Sequence, residues 1–571
     1  MRMNSLNHLA QLNEQTDATP FARAAIQELM TGETQKLVFP KGRYNFWPDK
    51  ASEAYLFISN NDESLKRIVF DLRRFNYLEI DGGGSEFVFH GTVIPFALQN
   101  CHNARLSNFT INWDRTYHSE AKILGYRPKA DASCVLDLQI SNQFPFVVKN
   151  GKLLFELEDC TTECLGHVLE FDPIRRETAS RVHDNGVAGQ YTATMLDDNI
   201  VRIEGRLNHA VTPGNTLVMT AGKRYSPAIA LLDCSDISIA DVTIHHCGGM
   251  GIIAQRTRNV DLQRVYVTPD TRRGRMISTT ADAAHFVNCA GLININDCVF
   301  ENQMDDPVNI HGIYGRVSAI ISRRTVEIEL VHEQQRGVDI TQAGDTVEFV
   351  ANENLLTYGT ASVKSFNRLN KQFYQLTAED AFPERLKIGD GVASLGWIPD
   401  VTITNTTSRN NRARGFLIST AGKVVIEGNY FHTPGSAILI AGDANYWFES
   451  GKVRNVTIRN NHFDNCMFGV WGVAVIGVQP EIPEGCRDGV YYHENITIEN
   501  NRFDLCDGRV LYAHCVDGIK FLNNSISTSS LYEFDTESDD PISLEACSNL
   551  EVDLHIPYLT CESEKEMAAA P

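Results

Sequence analysis

The chain has 571 residues, with 51 Lys+Arg against 72 Asp+Glu and a net charge of −21. That charge repels phosphate backbones and anionic surfaces, which argues against nucleic acid as a partner. There is no apolar run of the ~18 residues that a membrane span needs, and the length exceeds what one compact core normally fills.

The first residues, Met1 to Pro20, are polar and carry no apolar segment of the kind an export signal has. On sequence alone the expected compartment is the cytoplasm, or the periplasm or exterior if the natural chain begins further upstream. Pro20–Met30 has the periodicity of an amphipathic helix, with Asp17–Pro20 as its start and Gly32 as its stop. Lys36–Tyr44 then reads as a strand and turn. From there a short phrase recurs, as Leu106-Ser-Asn-Phe-Thr-Ile111, Ile239-Ala-Asp-Val-Thr-Ile244, Leu262-Gln-Arg-Val-Tyr-Val267, Ile458-Arg-Asn-Asn-His-Phe463 and Ile498-Glu-Asn-Asn-Arg-Phe503, with further copies at Ile295, Ile426 and Phe521. Ile239 and Leu262 lie one step of 23 residues apart, as do Ile498 and Phe521. Each copy alternates apolar side chains around an Asn, Asp or Gly corner, and one copy alone cannot bury its apolar face. Stacked copies can. The pattern predicts an all-β chain, a right-handed parallel β-helix solenoid.

The repeat breaks twice. The predicted organisation is an N-terminal segment and capping helix over 1–35, coils over 36–114, an inserted β-barrel-like domain over 115–225, coils over 226–312, a second inserted barrel-like domain over 313–398, coils over 399–545 and a loosely patterned tail over 546–571. The inserts read as small antiparallel barrels because alternating stretches such as Lys152–Glu158 and Val326–Val331 are separated by glycine turns. They also share a motif, Gly214-Asn-Thr-Leu and Gly344-Asp-Thr-Val. The helix followed by Lys36–Tyr44 resembles the plug of pectate-lyase-like β-helices. It would cover a first coil whose open edge otherwise recruits other strands.

The chain has fourteen cysteines. Cys101, Cys234, Cys289, Cys515 and Cys547 each stand just before a strand, so they are expected to stack as buried thiols rather than to pair. Such thiols fit a reducing compartment. No Cys-x-x-Cys occurs, and no metal is expected.

The densest polar cluster runs from Arg272 to Gly312. Asp282 and Asp305 lie 23 residues apart, one coil period, so they are expected on neighbouring coils whose strands are about 4.8 Å apart. With side-chain reach their carboxyls can stand about 5–9 Å apart. Glycosidases use about 5–5.5 Å when retaining and about 6.5–9.5 Å when inverting. Asp306 can share the site only if the backbone bends, and Pro307 favours a bend. Close carboxylates raise one another's pKa, which keeps one acid protonated. Each Asp singly reads as well as a turn cap. The cluster of Asp282, Asp305 and Asp306 with Asn309 and His311 favours a site. Arg272, Arg273 and Arg275 read equally as a solvated face or as its rim. Trp113, Trp447 and Trp471 are candidate platforms for a sugar ring, or alternatively hydrophobic plugs. Asp114 beside Trp113 could bind hydroxyls or pair with Arg115.

Taken together, Ile80-Asp-Gly-Gly-Gly-Ser-Glu-Phe-Val-Phe-His-Gly91, Phe109-Thr-Ile-Asn-Trp-Asp114 and Met304-Asp-Asp-Pro-Val-Asn-Ile-His-Gly312 resemble glycoside hydrolase family 110, the α-1,3-galactosidases. The resemblance extends over nearly the whole chain. It implies an exo-acting, inverting enzyme that removes terminal α-1,3-linked galactose from blood-group-B-like or linear glycans, without a cofactor. It makes Asp282 the general acid and the Asp305–Asp306 pair the place of the general base. The expected substrate-binding residues, from the cluster and the aromatics, are Asn309, His311, Trp113, Asp114 and Trp471. The implied partner is an oligosaccharide or glycoconjugate ending in α-galactose. The inserted domains offer surfaces on which a homodimer could form. Two other readings stay open: a polygalacturonase-like hydrolase, whose uronate substrate would need a cationic partner such as Arg272–Arg275, and a non-catalytic glycan-binding solenoid.

Overall fold

The computed structural model describes residues 16–31, 35–533 and 540–553. Most of its strands belong to two long, largely parallel sheets of 19 and 13 strands, which wrap a single apolar column. Along one line of that column Ile80, Leu106, Ile239, Leu262, Ile295, Ile403, Ile426, Ile458, Ile498 and Phe521 lie in register from coil to coil. All ten are buried. Eight of them are the first residues of the recurring phrase; Ile80 and Ile403 join the same line through the strand register. Phe431, Phe463 and Phe503 form a second line, stacked with centroids 4.9 and 4.6 Å apart.

The third residue of the phrase turns the corner in the left-handed region: Asn108 at φ 64°, Asp241 at 56°, Asn460 at 56° and Asn500 at 56°. Asn, Asp and Gly tolerate that conformation, which explains their recurrence there. Arg264 is an exception at φ 51°, and its guanidinium grips Asp241 of the preceding coil at 2.6 and 2.9 Å.

The residue after the corner supplies the hydrogen bonds that a corner leaves unmade. Asn461, Asn501 and Asn524 each accept a backbone N–H from the coil before, at 2.9–3.0 Å. Their amide nitrogens donate to the carbonyls of Ile426, Ile458 and Ile498. Thiols do similar work elsewhere: Cys234 Sγ accepts from the backbone N–H of Cys101 at 3.4 Å, and the next rung is Thr257, which accepts from Cys234. The described cysteines are all free thiols, with Cys101, Cys234, Cys289 and Cys515 buried and Cys547 half-buried.

The helix Thr19–Thr31 closes the first coil with Ala22, Ala25, Ile26 and Leu29, and Asp17 caps its start by accepting from Thr19 N at 2.9 Å. Its expected stop, Gly32, lies outside the described residues. The first insert is a seven-stranded antiparallel sheet between Ser119–Pro128 and Thr216–Thr220, with a three-stranded sheet beside it. The second closes into a six-stranded barrel from Gly315–Ser322 to Gly391–Ser394. Strands Ile542–Glu545 and Ser548–Val552 add a further rung to the coils. The helix therefore runs beyond 545, because the apolar alternation of Ile542–Val552 is enough to pair with the coil above. The rest of the expected tail, 554–571, lies outside the described residues.

Candidate active site

Three short strands of the second sheet carry two of the acids and an arginine at their N-terminal ends. Ala284 pairs with Val308, and Val308 with Phe416. Asp282, Asp306 and Arg414, each two residues earlier, therefore occupy the same place in three successive coils. This corrects the expected stacking of Asp282 on Asp305. The local coil is one residue longer than 23, because the chain bends around Met304–Pro307, and the register carries Asp306 onto Asp282. The same bend brings Asp305 to the cluster. Asp282, Asp305 and Asp306 are all buried.

Each acid has different company. Arg414 grips Asp306 with Nε at 3.2 Å and Nη2 at 2.9 Å, and donates its backbone N–H at 3.2 Å. Asp305 is held between Arg224 and Arg412, the latter at 3.1 Å. Asp282 has no arginine bonded to it; its Oδ2 lies 2.6 Å from His285 Nδ1. These differences split the proton affinities. Burial, helped by the charge of Asp305, pushes the Asp282 carboxyl up to about 8. Burial also pushes Asp306 up, to about 7, against the pull of Arg414. Burial acts on Asp305 too, but Arg224, Arg412 and Arg414 outweigh it and hold that carboxyl below its usual range.

Hydrogen-bond geometry bears on the same question. His311 Nδ1 lies 2.7 Å from the Gly312 carbonyl oxygen, so it carries a hydrogen. Burial lowers the proton affinity of His311 and of His285, the latter to about 4, so both rings are neutral. His311 Nε2 then accepts from His285 Nε2 at 2.9 Å. His285 Nδ1 is left as an acceptor, and a protonated Asp282 completes that bond.

Asp305 lines a cleft of about 710 Å³, and all three acids line a small recess of about 50 Å³ that shares Arg224, Asp305, Arg414, Trp447 and Glu449 with it and forms its inner end. Asn60, His285, Asn309, Trp447 and Glu449 line that end with the three acids. His167, Lys223, Arg412, Asp443, Trp471 and Glu481 line the wider mouth. Asn309 thus stands beside the acids and Trp471 in the mouth, where its indole N–H meets Asp184 at 3.3 Å. Three expected substrate contacts fall elsewhere. Trp113 is fully buried in the apolar column, with its indole N–H on the Gly91 carbonyl at 3.1 Å, and presents no face to a sugar. Asp114 is held by Arg43 at 2.9 Å and Arg273 at 2.7 Å and does not line the cleft. His311 is buried behind His285, with both nitrogens engaged inside the protein. Arg272 and Arg273 pair with Asp270 on the outer surface, and Arg275 is buried against Asn112 and the Trp113 carbonyl. None of the three rims the cleft.

Sequence reasoning missed Arg224, Arg412, Arg414, His285 and Glu449. Arg224 comes from the end of the first insert. Glu449 arrives on the strand Glu449–Ser450, which pairs antiparallel with Gly312–Ile313. The available signal was charge balance, since three buried acids require cations. Among the described residues, no group of three or more His, Cys, Asp or Glu side chains converges as a metal site.

Comparison with known proteins agrees with this architecture. Family models match over residues 119–217 (GLAA-B beta-barrel domain I), 325–392 (GLAA-B beta-barrel domain II) and 390–553 (Right handed beta helix region). Alpha-1,3-galactosidase A of Shewanella woodyi is 35% identical over 541 residues, covering 94% of this chain and 88% of that protein. Alpha-1,3-galactosidase B of Bacteroides thetaiotaomicron is 33% identical over 543 residues, covering 94% and 87%. Alpha-1,3-galactosidase B of Bacteroides fragilis is 31% identical over 562 residues, covering 95% and 94%. With such identity over 94–95% of its length, the chain belongs to the α-1,3-galactosidase family of glycoside hydrolases.

Proposed function

We propose that the protein is an exo-acting, inverting α-1,3-galactosidase, with Asp282 as general acid and the Asp305–Asp306 pair supplying the general base. The observation that carries this reading is the division of proton affinities at the inner end of the cleft. An acid catalyst must hold a proton at neutral pH, and Asp282 is raised to about 8. A base must be ionised: the arginines hold the Asp305 carboxyl below its usual range, and Arg414 opposes the burial that raises Asp306 to about 7. Terminal galactose enters first, and the remainder of the glycan lies along the mouth. Asp282 gives its proton to the glycosidic oxygen as the C–O bond breaks. The base takes a proton from a water that attacks the anomeric carbon from the opposite face. The positive charge that develops on the ring is stabilised by the fixed carboxylates. The narrow inner end supports exo action, and the wider mouth leaves room for a glycan chain.

The test uses Gal-α-1,3-Gal and proton NMR of the first product. Inversion releases β-galactose. Asp282→Asn should lower turnover of this disaccharide by about a hundredfold or more with the fold intact. Initial release of α-galactose would refute inversion, and a wild-type rate in Asp282→Asn would refute the acid.

A further inference from the structure

Trp447 stands where the inner end of the cleft meets its mouth and borders both. It is 37% exposed, an unusual state for a tryptophan beside three buried acids. Its position is strongly determined. The Asp443 carboxylate accepts backbone N–H groups from Asn445 at 2.6 Å, Tyr446 at 3.0 Å, Phe448 at 3.3 Å and Trp447 itself, so one side chain fixes the whole turn. Phe448 follows in the left-handed region, at φ 58°. The second inserted barrel reaches in to meet this turn. His332 lies against the indole with ring centroids 4.5 Å apart. Gln335 is completely buried and donates from Nε2 to the Trp447 carbonyl at 2.7 Å. The residue before it, Gln334, accepts from the backbone N–H of Asn60 at 2.7 Å, and Asn60 also lines the inner end. The turn Glu333–Gln335 therefore bonds two residues that line the inner end, Trp447 and Asn60.

A pyranose offers hydroxyls to carboxylates and C–H faces to aromatic rings. In galactose the axial 4-hydroxyl leaves C3, C4 and C5 with hydrogens on one side, a continuous apolar patch that glucose lacks. At the inner end the acids, Asn309 and Glu449 provide for hydroxyls, and among the residues bordering that end Trp447 supplies the large apolar surface. Resting on the galactosidase reading above, we propose that Trp447 is the platform on which the terminal galactose stacks, and that the turn Glu333–Gln335 of the second barrel is the wedge that holds it. Trp447 then discriminates galactose from glucose, and the inserted barrel acts as a positioning element for the sugar.

The experiment measures inhibition by free galactose, and kcat/KM for 4-nitrophenyl α-galactoside against the α-glucoside. Trp447→Ala should weaken galactose inhibition about tenfold, in line with the loss of one stacked ring, and should narrow the preference over glucose. Trp447→Phe should restore binding to within about threefold. Gln335→Ala should shift the inhibition constant in the same direction by about threefold, the scale of one lost hydrogen bond, with kcat less affected. Galactose inhibition unchanged in Trp447→Ala overturns the platform. An effect of Gln335→Ala on kcat alone overturns the wedge. Wild-type protein that neither binds galactose nor cleaves the galactoside would overturn the galactosidase reading itself. Wild-type binding that Trp447→Ala retains would overturn the platform alone.

Discussion

Replacing Arg414 with Met keeps the aliphatic stem and the backbone N–H but removes the two guanidinium bonds to Asp306. If Asp306 stayed ionised, the loss of its partner would cost about 3–5 kcal/mol, as for other broken buried pairs. Asp306 has an alternative, because burial already holds it at about 7 with Arg414 present. Without the arginine its proton affinity rises further. At pH 6 the carboxyl is neutral in both proteins, most of the charge cost disappears, and about 1–2 kcal/mol remains for the lost hydrogen bonds. Above pH 7 the native Asp306 ionises and benefits from Arg414. The variant must stay protonated, which costs about 1.4 kcal/mol per pH unit relative to wild type until its own raised pKa is reached. The loss therefore grows with pH, to about 3 kcal/mol or more at pH 9. The arginine side chain is 34% exposed, so entering water holds the figure to the lower part of that range. Urea unfolding midpoints of Arg414→Met and wild type, compared at pH 6 and pH 9, measure the difference. An equal loss at both pH values, or a larger one at pH 6, would refute the electrostatic account of this pair.

Two further outcomes are expected. Asp282 must be protonated to act, and its carboxyl is raised to about 8, so kcat/KM on Gal-α-1,3-Gal should fall about tenfold per unit above that pH; a rate sustained through pH 9.5 contradicts this. Trp471 borders the mouth but not the inner end, so Trp471→Ala should raise KM for a galactose-terminated trisaccharide about tenfold while galactose inhibition stays as in wild type; an equal change in both would place Trp471 against the terminal sugar.

The coils could be read directly from the chain because each one repeats a local instruction. An apolar residue, a left-handed corner and another apolar residue must recur for a column to fill, and that requirement is written again at Leu106, Ile239, Ile458 and Ile498. The burial of Trp113 was also within reach. It follows Ile111 by two positions on the same strand, so both point inward, and Ile111 is buried in the column. The aromatic character of Trp113 hid that simpler rule. The aspartate cluster was visible as a local concentration of acids, although its register depended on a single residue in the bend before Pro307.

The amino-acid order alone thus determined the β-helix and pointed to its cap, its interruptions and the neighbourhood of the acids, since each leaves a pattern within a few dozen residues. Folding chose which aspartate lies over Asp282, which cations reach the other two, and that Glu449 and Trp447 border the same recess as the acids. Those choices join segments as distant as Arg224, Asp305 and Arg412. Long-range contacts of this kind are fixed by how coils and insertions pack in space, and they leave no periodic trace along the chain.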